Sequence, residues 1–247
     1  MNNGMYAACA GLVARSQALE LAANNLANLN TTAYKAQVPT FRSVLAQTAV
    51  ASASSPGAIQ QAVTNFGVVG GSRTDLVQGT LEPTGNDLDF ALQGQGWFSV
   101  QSSGGPLYTR NGNFHVDTTG KLVTAEGYSV IGTNGPITVP PGKVSVSADG
   151  TLSVDGGLAG QLKIATFASG TELTPLGSSY FSAQGAQEAV APAKVVQGSL
   201  ENSNVNGISA AVGLVALQRE ADFMQQALTT FHSNFNRIAA QDLPRIS

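Results

Sequence analysis

The chain has 247 residues and a net charge of −3; 11% of the residues are charged and 43% are hydrophobic. An ordinary soluble domain carries roughly 25% charged residues, so neutral polar residues and glycine replace much of the charge here. Without a positive field, nucleic-acid binding is disfavoured. A single cysteine excludes an internal disulfide and a cysteine-based zinc cluster. A neutral polar surface is typical either of a subunit covered by its neighbours or of a secreted β-rich protein.

An apolar stretch over residues 5–14 differs from a secretory signal peptide, because its first basic residue, Arg15, follows the stretch. The residues before Cys9 do not resemble a lipoprotein cleavage site. Nor does the sequence contain a run of about 18 apolar residues that could span a membrane. If the protein leaves the cytoplasm, we expect it to do so without signal cleavage.

The first predicted element is a helix over residues 4–30. Met5, Leu12, Leu19 and Leu26 recur every seven residues, with alanines near the intermediate positions. This spacing predicts one narrow apolar seam along a helix. Because the seam consists largely of alanine, the helix has little to bury alone and needs a partner.

Three asparagines crowd the end of this helix, where asparagine is an indifferent helix former. Asn24 and Asn28 share one helix face at a spacing of four residues, and Asn25 lies beside them. Amides at a helix–helix contact can fix its register. A fraying helix end would carry the same residues, so the pattern alone leaves both interpretations open.

The middle of the chain changes character twice. Residues 43–72 contain no charged residue, which predicts an extended or mobile linker. From residue 75 to about residue 195, short alternating apolar runs are separated by Asn-Gly, Thr-Gly and Asp-Gly turn signals. This pattern predicts a compact all-β domain.

The last predicted element is a helix over residues 207–240, with Asn204 or Asn206 as its N-cap. Its apolar residues follow steps of three and four on one stripe, namely Ile208, Val212, Val215, Phe223, Ala227, Phe231, Phe235 and Ile238. Each terminal helix thus carries one apolar stripe, and pairing the two buries both.

The predicted fold class is therefore α+β, with paired, coiled-coil-like N- and C-terminal helices and an inserted all-β domain. The predicted boundaries place a terminal helical assembly domain at residues 1–35 and 196–247. A linker follows at 36–75, and the all-β domain occupies 76–195.

The sequence offers little for catalysis. His115 and Asp117 fall on one face of a predicted strand, but no serine lies in a Gly-x-Ser-x-Gly turn. Asp87 and Asp89 flank Leu88 without the opposed environments that acid–base catalysis needs. Residues 94–96 (GQG) lack the third glycine of a dinucleotide fingerprint. We predict no catalytic residue, no cofactor site and no metal site, and expect a protein that is not an enzyme.

Several motifs resemble those of bacterial flagellar axial proteins, the rod and hook subunits. The N-terminal signature is the closest match, and further matches follow in the family's order. They are residues 21–28 (LAANNLAN), 31–35 (TTAYK), 78–81 (QGTL), 84–89 (TGNDLD), 94–98 (GQGWF), 108–114 (YTRNGNF), 122–124 (LVT) and 197–206 (QGSLENSNVN). Ordered matches over nearly the whole chain are far more specific than one asparagine-rich motif.

Within this family, the opening residues 1–6 and the modest length are most similar to the rod subunits placed between the proximal and distal rod. The distal rod subunits are the close alternative. Family members commonly have Gly-Phe where this chain has Ala33 and Tyr34. If that position needs a positive φ, alanine costs about 1 kcal/mol there. Trp97 stands where phenylalanine is usual, and is expected to change only local packing.

The resemblance implies a structural rod subunit that polymerises through its terminal helices, with itself and with other rod subunits. It also implies export through the flagellar export apparatus without signal cleavage, and a place in the periplasmic part of the basal body. The residues expected at the assembly interface are Leu19, Asn24, Asn25, Leu26, Asn28, Val212, Val215 and Phe223. The alternative is a secreted β-rich adhesin or hydrolase that uses His115 or the loops around Trp97.

Overall fold

A computed structural model describes residues 2–43, 67–168, 171, 173–177, 179–183, 189–190 and 192–242. The chain forms two compact units. The first unit comprises Met1–Ala27, Gln37–Arg73 and Asn206–Ser247. The second comprises Asn28–Ala36 and Thr74–Val205. Of the predicted linker, residues 44–66 lie outside the described residues.

Two helices and nineteen strands make up the described secondary structure. The helices are α1 (Asn2–Ala27) and α2 (Gly207–Asp242). The strands are β1 (Gln37–Ser43), β2 (Gly67–Thr74), β3 (Leu81–Pro83), β4 (Phe90–Gln93), β5 (Trp97–Ser102), β6 (Gly105–Thr109), β7 (Phe114–Val116), β8 (Leu122–Thr124), β9 (Ser129–Gly132), β10 (Gly135–Pro136), β11 (Val144–Val146), β12 (Thr151–Val154), β13 (Gly157–Gln161), β14 (Ile164–Thr166), β15 (Thr174–Leu176), β16 (Tyr180–Ser182), β17 (Ala189–Val190), β18 (Lys194–Gln197) and β19 (Ser199–Glu201).

The first unit contains both helices and the two-stranded sheet β1–β2. On α1 the buried residues are alanines, Ala14 and Ala18. On α2 a half-buried series runs in alternating steps of three and four: Ala210, Leu214, Leu217, Ala221, Met224 and Leu228. Arg15 Nη1 lies 2.9 Å from Glu220 Oε2, so α1 and α2 meet at an exposed ion pair.

Asn206 caps the start of α2, as one of the two predicted N-caps. Its Oδ1 accepts a hydrogen bond of 3.0 Å from the backbone N–H of Ser209. Its carbonyl accepts the helical bond from Ala210 N–H at 2.9 Å. The cap satisfies one of the N–H groups that the first turn leaves without an intrahelical partner.

The predicted fold class, α+β with coiled-coil-like terminal helices, is wrong. Over the part of the chain that the structure describes, the fold is mostly β-sheet and has no paired long helices of the coiled-coil kind. The seam was assigned to the stripe with Val212, Val215 and Phe223, yet these side chains are exposed. The physical reason is that α2 carries two apolar stripes, and helical spacing alone does not show which of them packs within the subunit.

The second unit is built around a ten-stranded sheet that curls into a half-barrel. Its main path runs β15-β16-β6-β5-β9-β8-β7, with β10, β14 and β17 branching from it. The pleat of β5 divides the apolar residues between two faces. Phe98 and Val100 join the main core, whereas Trp97 joins a smaller cluster with Tyr108 and Phe181.

Three smaller sheets complete the unit. β11, β12 and β13 form an antiparallel meander that supplies Val144, Leu152 and Val154 to the main core. β4 pairs with β18, and β3 pairs with β19, both antiparallel. These two pairings return the C-terminal end of the unit to the strands near its start.

No helix among the described residues is long and apolar enough to cross a membrane.

Candidate assembly surface and motif junction

The most conspicuous surface feature is an apolar stripe on α2, here called the α2 stripe: Ile208, Val212, Val215 and Phe223. These side chains are 81%, 66%, 48% and 71% exposed. They follow helical steps on one face, with Arg219 between Val215 and Phe223, and with Ala211 and Ala216 alongside in a shallow groove. Exposed apolar side chains scattered singly are normal, whereas an apolar series along one helix face is a candidate interaction site.

The predicted interface residues on α1 are less accessible. Leu19 and Leu26 are half-buried, and Asn24 is exposed. One turn past Leu19, Ala23 is exposed, whereas Ala18 is fully covered. Among the described side chains of α1, the most deeply buried are Ala14 and Ala18, which lie about 100–140° from Leu19 around the helix.

Asn25 uses its amide inside the first unit. Its Nδ2 donates to the carbonyl of Gln37 at 2.8 Å, and its Oδ1 accepts from the Gln37 N–H at 2.8 Å. The side chain thus imitates a neighbouring strand and fastens the end of α1 to the start of β1. In the second unit, Asn28 accepts a 3.0 Å bond from the Thr31 hydroxyl at the turn that follows the helix.

Ala33 has a positive φ of 58°, a left-handed conformation that alanine rarely adopts. The structure thus shows the positive φ on which the expected cost of alanine depends, and the cost itself stays a prediction. Its side chain is fully buried, and its N–H donates to the carbonyl of Glu201 at 2.7 Å. The surrounding contacts hold the residue in this conformation.

A buried ion cluster lies beside Ala33, and the sequence analysis missed it. Lys35 Nζ lies 2.5 Å from Glu201 Oε1, and Arg110 Nη1 lies 3.3 Å from Glu201 Oε2. The side chains of Lys35 and Glu201 are 0% exposed. Glu201 Oε1 also accepts the N–H of Gly79 at 3.0 Å. We call Lys35, Arg110 and Glu201 the ion cluster.

The cations of this cluster have further partners. Lys35 Nζ donates to the carbonyl of Val77 at 2.8 Å, and Arg110 Nη2 donates to that of Gly94 at 2.7 Å. The Arg110 guanidinium also lies 5.5 Å from the centre of the Trp97 ring. Burial lowers the pKa of Lys35, and the nearby Glu201 carboxylate opposes that shift. Burial likewise lowers the pKa of Arg110.

Asn204, considered from sequence only as a helix cap, instead bridges three segments. Its Oδ1 accepts from the Ala36 N–H at 2.7 Å. Its Nδ2 donates to the carbonyls of Asp75 at 2.9 Å and Val77 at 3.1 Å. Hydrogen bonds from the motif over residues 197–206 therefore connect the end of the second unit to its beginning.

A second buried carboxylate, Asp89, organises the motif over residues 84–89. It accepts hydrogen bonds from Thr84 Oγ1 at 2.6 Å, Asn86 Nδ2 at 3.2 Å and Asn113 Nδ2 at 3.0 Å. The backbone of Gly112 passes so close to Phe90 that a Cβ would lie 1.7 Å from the Phe90 carbonyl oxygen. These motif residues stabilise the fold of the second unit.

The residues weighed for catalysis are not assembled into a site. His115 is exposed on β7, where it pairs with Val123. The Asp117 carboxylate accepts from the N–H groups of Lys121 and Thr119, each at 2.8 Å. Trp97 is buried against Phe181, with ring centres 4.8 Å apart. Among the described residues, no group of three or more potential metal ligands occurs.

Two family models match the chain. Residues 5–35 match the flagella basal body rod protein model, and residues 91–154 match the D1 domain model of the flagellar hook proteins FlgE, FlgF and FlgG. The first covers α1 and the turn with Ala33; the second covers the strands from β4 to β12. The motifs at the ion cluster thus lie partly within both models.

Full-length relatives agree. The chain is 36% identical to the flagellar basal-body rod protein FlgG of Agrobacterium fabrum, over 90% of this chain and 93% of that protein. It is 33% identical to FlgF of Salmonella typhimurium, over 96% of this chain and 97% of that protein. A FlgF of Mesorhizobium japonicum matches at 30% identity over 89% of each. Relatives of both subtypes match at similar identity. The chain belongs to the family of flagellar basal-body rod proteins.

Proposed function

We propose that the chain is a structural subunit of the flagellar basal-body rod that polymerises through its terminal helices and transmits torque. The single observation that carries this proposal is the α2 stripe. Burying large apolar side chains such as Val212 and Phe223 against a neighbour contributes about 1.5–3 kcal/mol each. A helix that presents them to water in the monomer gains that energy only on assembly.

The proposed assembly interface comprises Leu19, Asn24, Asn25, Leu26, Asn28, Val212, Val215 and Phe223. The exposure of Val212, Val215 and Phe223 supports their place in it most directly. Asn25 and Asn28 also hold their own chain, so replacing them would disturb the subunit as well as the contact. In this proposal residues 1–35 and 196–247 serve assembly, and residues 36–75 connect them to the β domain at 76–195.

The proposed partners are other copies of this chain and other rod subunits, because the relatives are named as rod proteins. We further propose export through the flagellar export apparatus without signal cleavage, and assembly in the periplasm. The role is structural, without catalysis. The family supports this role, and no observation favours the adhesin or hydrolase alternative.

The proposal is tested by placing a charge in the α2 stripe. Phe223→Asp should abolish swimming when it replaces the native protein in a motile host, because a carboxylate cannot be buried in an apolar contact without a partner. Gln225→Asp is the matched control, since Gln225 is also exposed on α2 but lies about 160° from Phe223 around the helix, in a polar groove. Circular dichroism on both purified variants checks that the subunit still folds. Normal swimming by the Phe223→Asp strain would refute the assembly surface.

A further inference from the structure

The chain passes between its two compact units at four places: residues 27/28, 36/37, 73/74 and 205/206. Within the second unit, the segments next to these passages are bonded to one another. The N–H of Asp75 donates to the carbonyl of Ala36 at 2.8 Å. The N–H of Asn204 donates to the carbonyl of Tyr34 at 3.3 Å. Three of the four ends of the second unit, at residues 36, 74 and 205, are therefore gathered at one place.

The ion cluster lies at that place and connects the gathered ends to the sheets. Lys35 belongs to the first segment, Glu201 to the last, and Val77, whose carbonyl Lys35 binds, to the one between. Arg110 extends the cluster to the loop after β6 and to the Gly94 carbonyl after β4. A displacement of either end must break these contacts before it reaches the core.

The chemistry of the cluster suits a mechanical role better than a stabilising one. Replacing a buried ion network by well-packed apolar residues is often neutral or stabilising at equilibrium. Charge-assisted hydrogen bonds are, however, short and demand a specific geometry. They are lost over a small displacement, whereas apolar side chains can slide while they stay in contact. A cluster that adds little equilibrium stability can still set the barrier against pulling.

We propose that Lys35, Arg110 and Glu201 form a force-bearing latch that sets the load at which the second unit opens when it is pulled through its ends. The latch acts within one subunit. The inference therefore does not depend on the α2 stripe, and either proposal can fail without the other.

The test pulls single full-length molecules in optical tweezers at constant force, through handles at the two termini. Unfolding of the second unit is recognised by the release of residues 28–36 and 74–205, about 480 Å of extended chain at ~3.4 Å per residue. In Glu201→Gln, the unfolding rate at a fixed force should rise about tenfold or more. A tenfold change corresponds to about 1.4 kcal/mol of barrier.

A triple variant separates force resistance from stability. Lys35→Met, Arg110→Met and Glu201→Leu together remove every charge of the latch and fill its volume with apolar atoms. The urea midpoint should recover relative to Glu201→Gln, while unfolding under force stays at least about tenfold faster than in the native chain. If the triple variant recovers native resistance to force, the latch has no mechanical role.

Two further variants complete the design. Glu220→Gln removes a carboxylate from the exposed ion pair with Arg15 in the first unit, and should leave the unfolding event of the second unit unchanged. Arg110→Lys keeps the charge but loses the guanidinium fork, and serves if Glu201→Gln does not fold. Its unfolding rate should rise in the same direction. An unchanged rate in either latch variant would overturn the proposal.

Discussion

Replacing Ala33 by glycine should cost far less stability than the same replacement at a relaxed position. Ala33 is 0% exposed and has a φ of 58°. Ala91, in β4 of the same unit, is also 0% exposed but is not among the residues with positive φ. The pair of variants therefore removes the same buried methyl group from two different backbone conformations.

The expected free energies of unfolding follow from three contributions. Loss of a buried methyl group costs about 0.8 kcal/mol. The greater freedom of glycine in the unfolded chain costs about 0.5–1 kcal/mol. At Ala33 these losses are offset by release of left-handed strain, about 1–2 kcal/mol. We expect Ala91→Gly to destabilise by about 1.5 kcal/mol and Ala33→Gly to be neutral within about 0.5 kcal/mol.

Urea unfolding followed by tryptophan fluorescence measures both variants, because Trp97 is the only tryptophan and is buried in the second unit. Ala33→Val serves as a third point, since a β-branched side chain both disfavours this φ and overfills the site; it should destabilise by more than about 2 kcal/mol. Equal losses for Ala33→Gly and Ala91→Gly would show that the native backbone carries no strain at Ala33.

Three other predictions concern the β unit. The hydroxyl of Ser99 is buried without a hydrogen-bond partner among the described residues, so Ser99→Ala should be neutral or stabilise by up to about 1 kcal/mol in urea unfolding. Gly112→Ala should destabilise by more than about 3 kcal/mol, because its Cβ would meet the Phe90 carbonyl oxygen; Gly104→Ala, whose Cβ would meet only ordinary contacts, is the control. The N–H of Lys121 and the hydroxyl of Thr119 lower the pKa of Asp117. The contribution of Asp117 to stability is therefore present above its pKa in the unfolded chain and is lost as the pH falls through its pKa in the folded chain. An NMR titration that shows an ordinary or raised pKa for Asp117 would contradict this.

Local sequence signals predicted the positions of the terminal helices better than they predicted which helix faces pack within the subunit. The helix expected at 4–30 is Asn2–Ala27, and Asn206 caps α2 as one of the two predicted residues. The choice between the two apolar stripes of α2 could not be made from periodicity. Both stripes follow helical steps and both carry large side chains, so the spacing does not show which one faces the subunit's own chain. A helix that packs against its own chain on one face and against a neighbour on another carries two apolar stripes. Periodicity alone does not show which stripe faces the neighbour.

The ion cluster was beyond prediction for a different reason. Glu201 lies 166 residues from Lys35 and 91 from Arg110, and each charge read alone is that of a surface residue. The available signal was their position inside motifs of a chain with only 11% charged residues. In a chain with few charged residues, a charged residue within a motif is a better candidate for burial than a charged residue in a chain of ordinary composition.

The function proposed for this chain does not use its buried polar groups. The buried carboxylates of Asp89 and Glu201 are saturated by hydrogen bonds from their own chain, so neither is available to a substrate. The exposed His115 has no assembled catalytic neighbours, since the Asp117 carboxylate is engaged in its own turn. Among the described residues, the α2 stripe is an apolar series along one helix face that the subunit leaves exposed. A polypeptide whose buried charges bind groups of its own chain, and whose exposed helix face is apolar, is suited to bind another polypeptide.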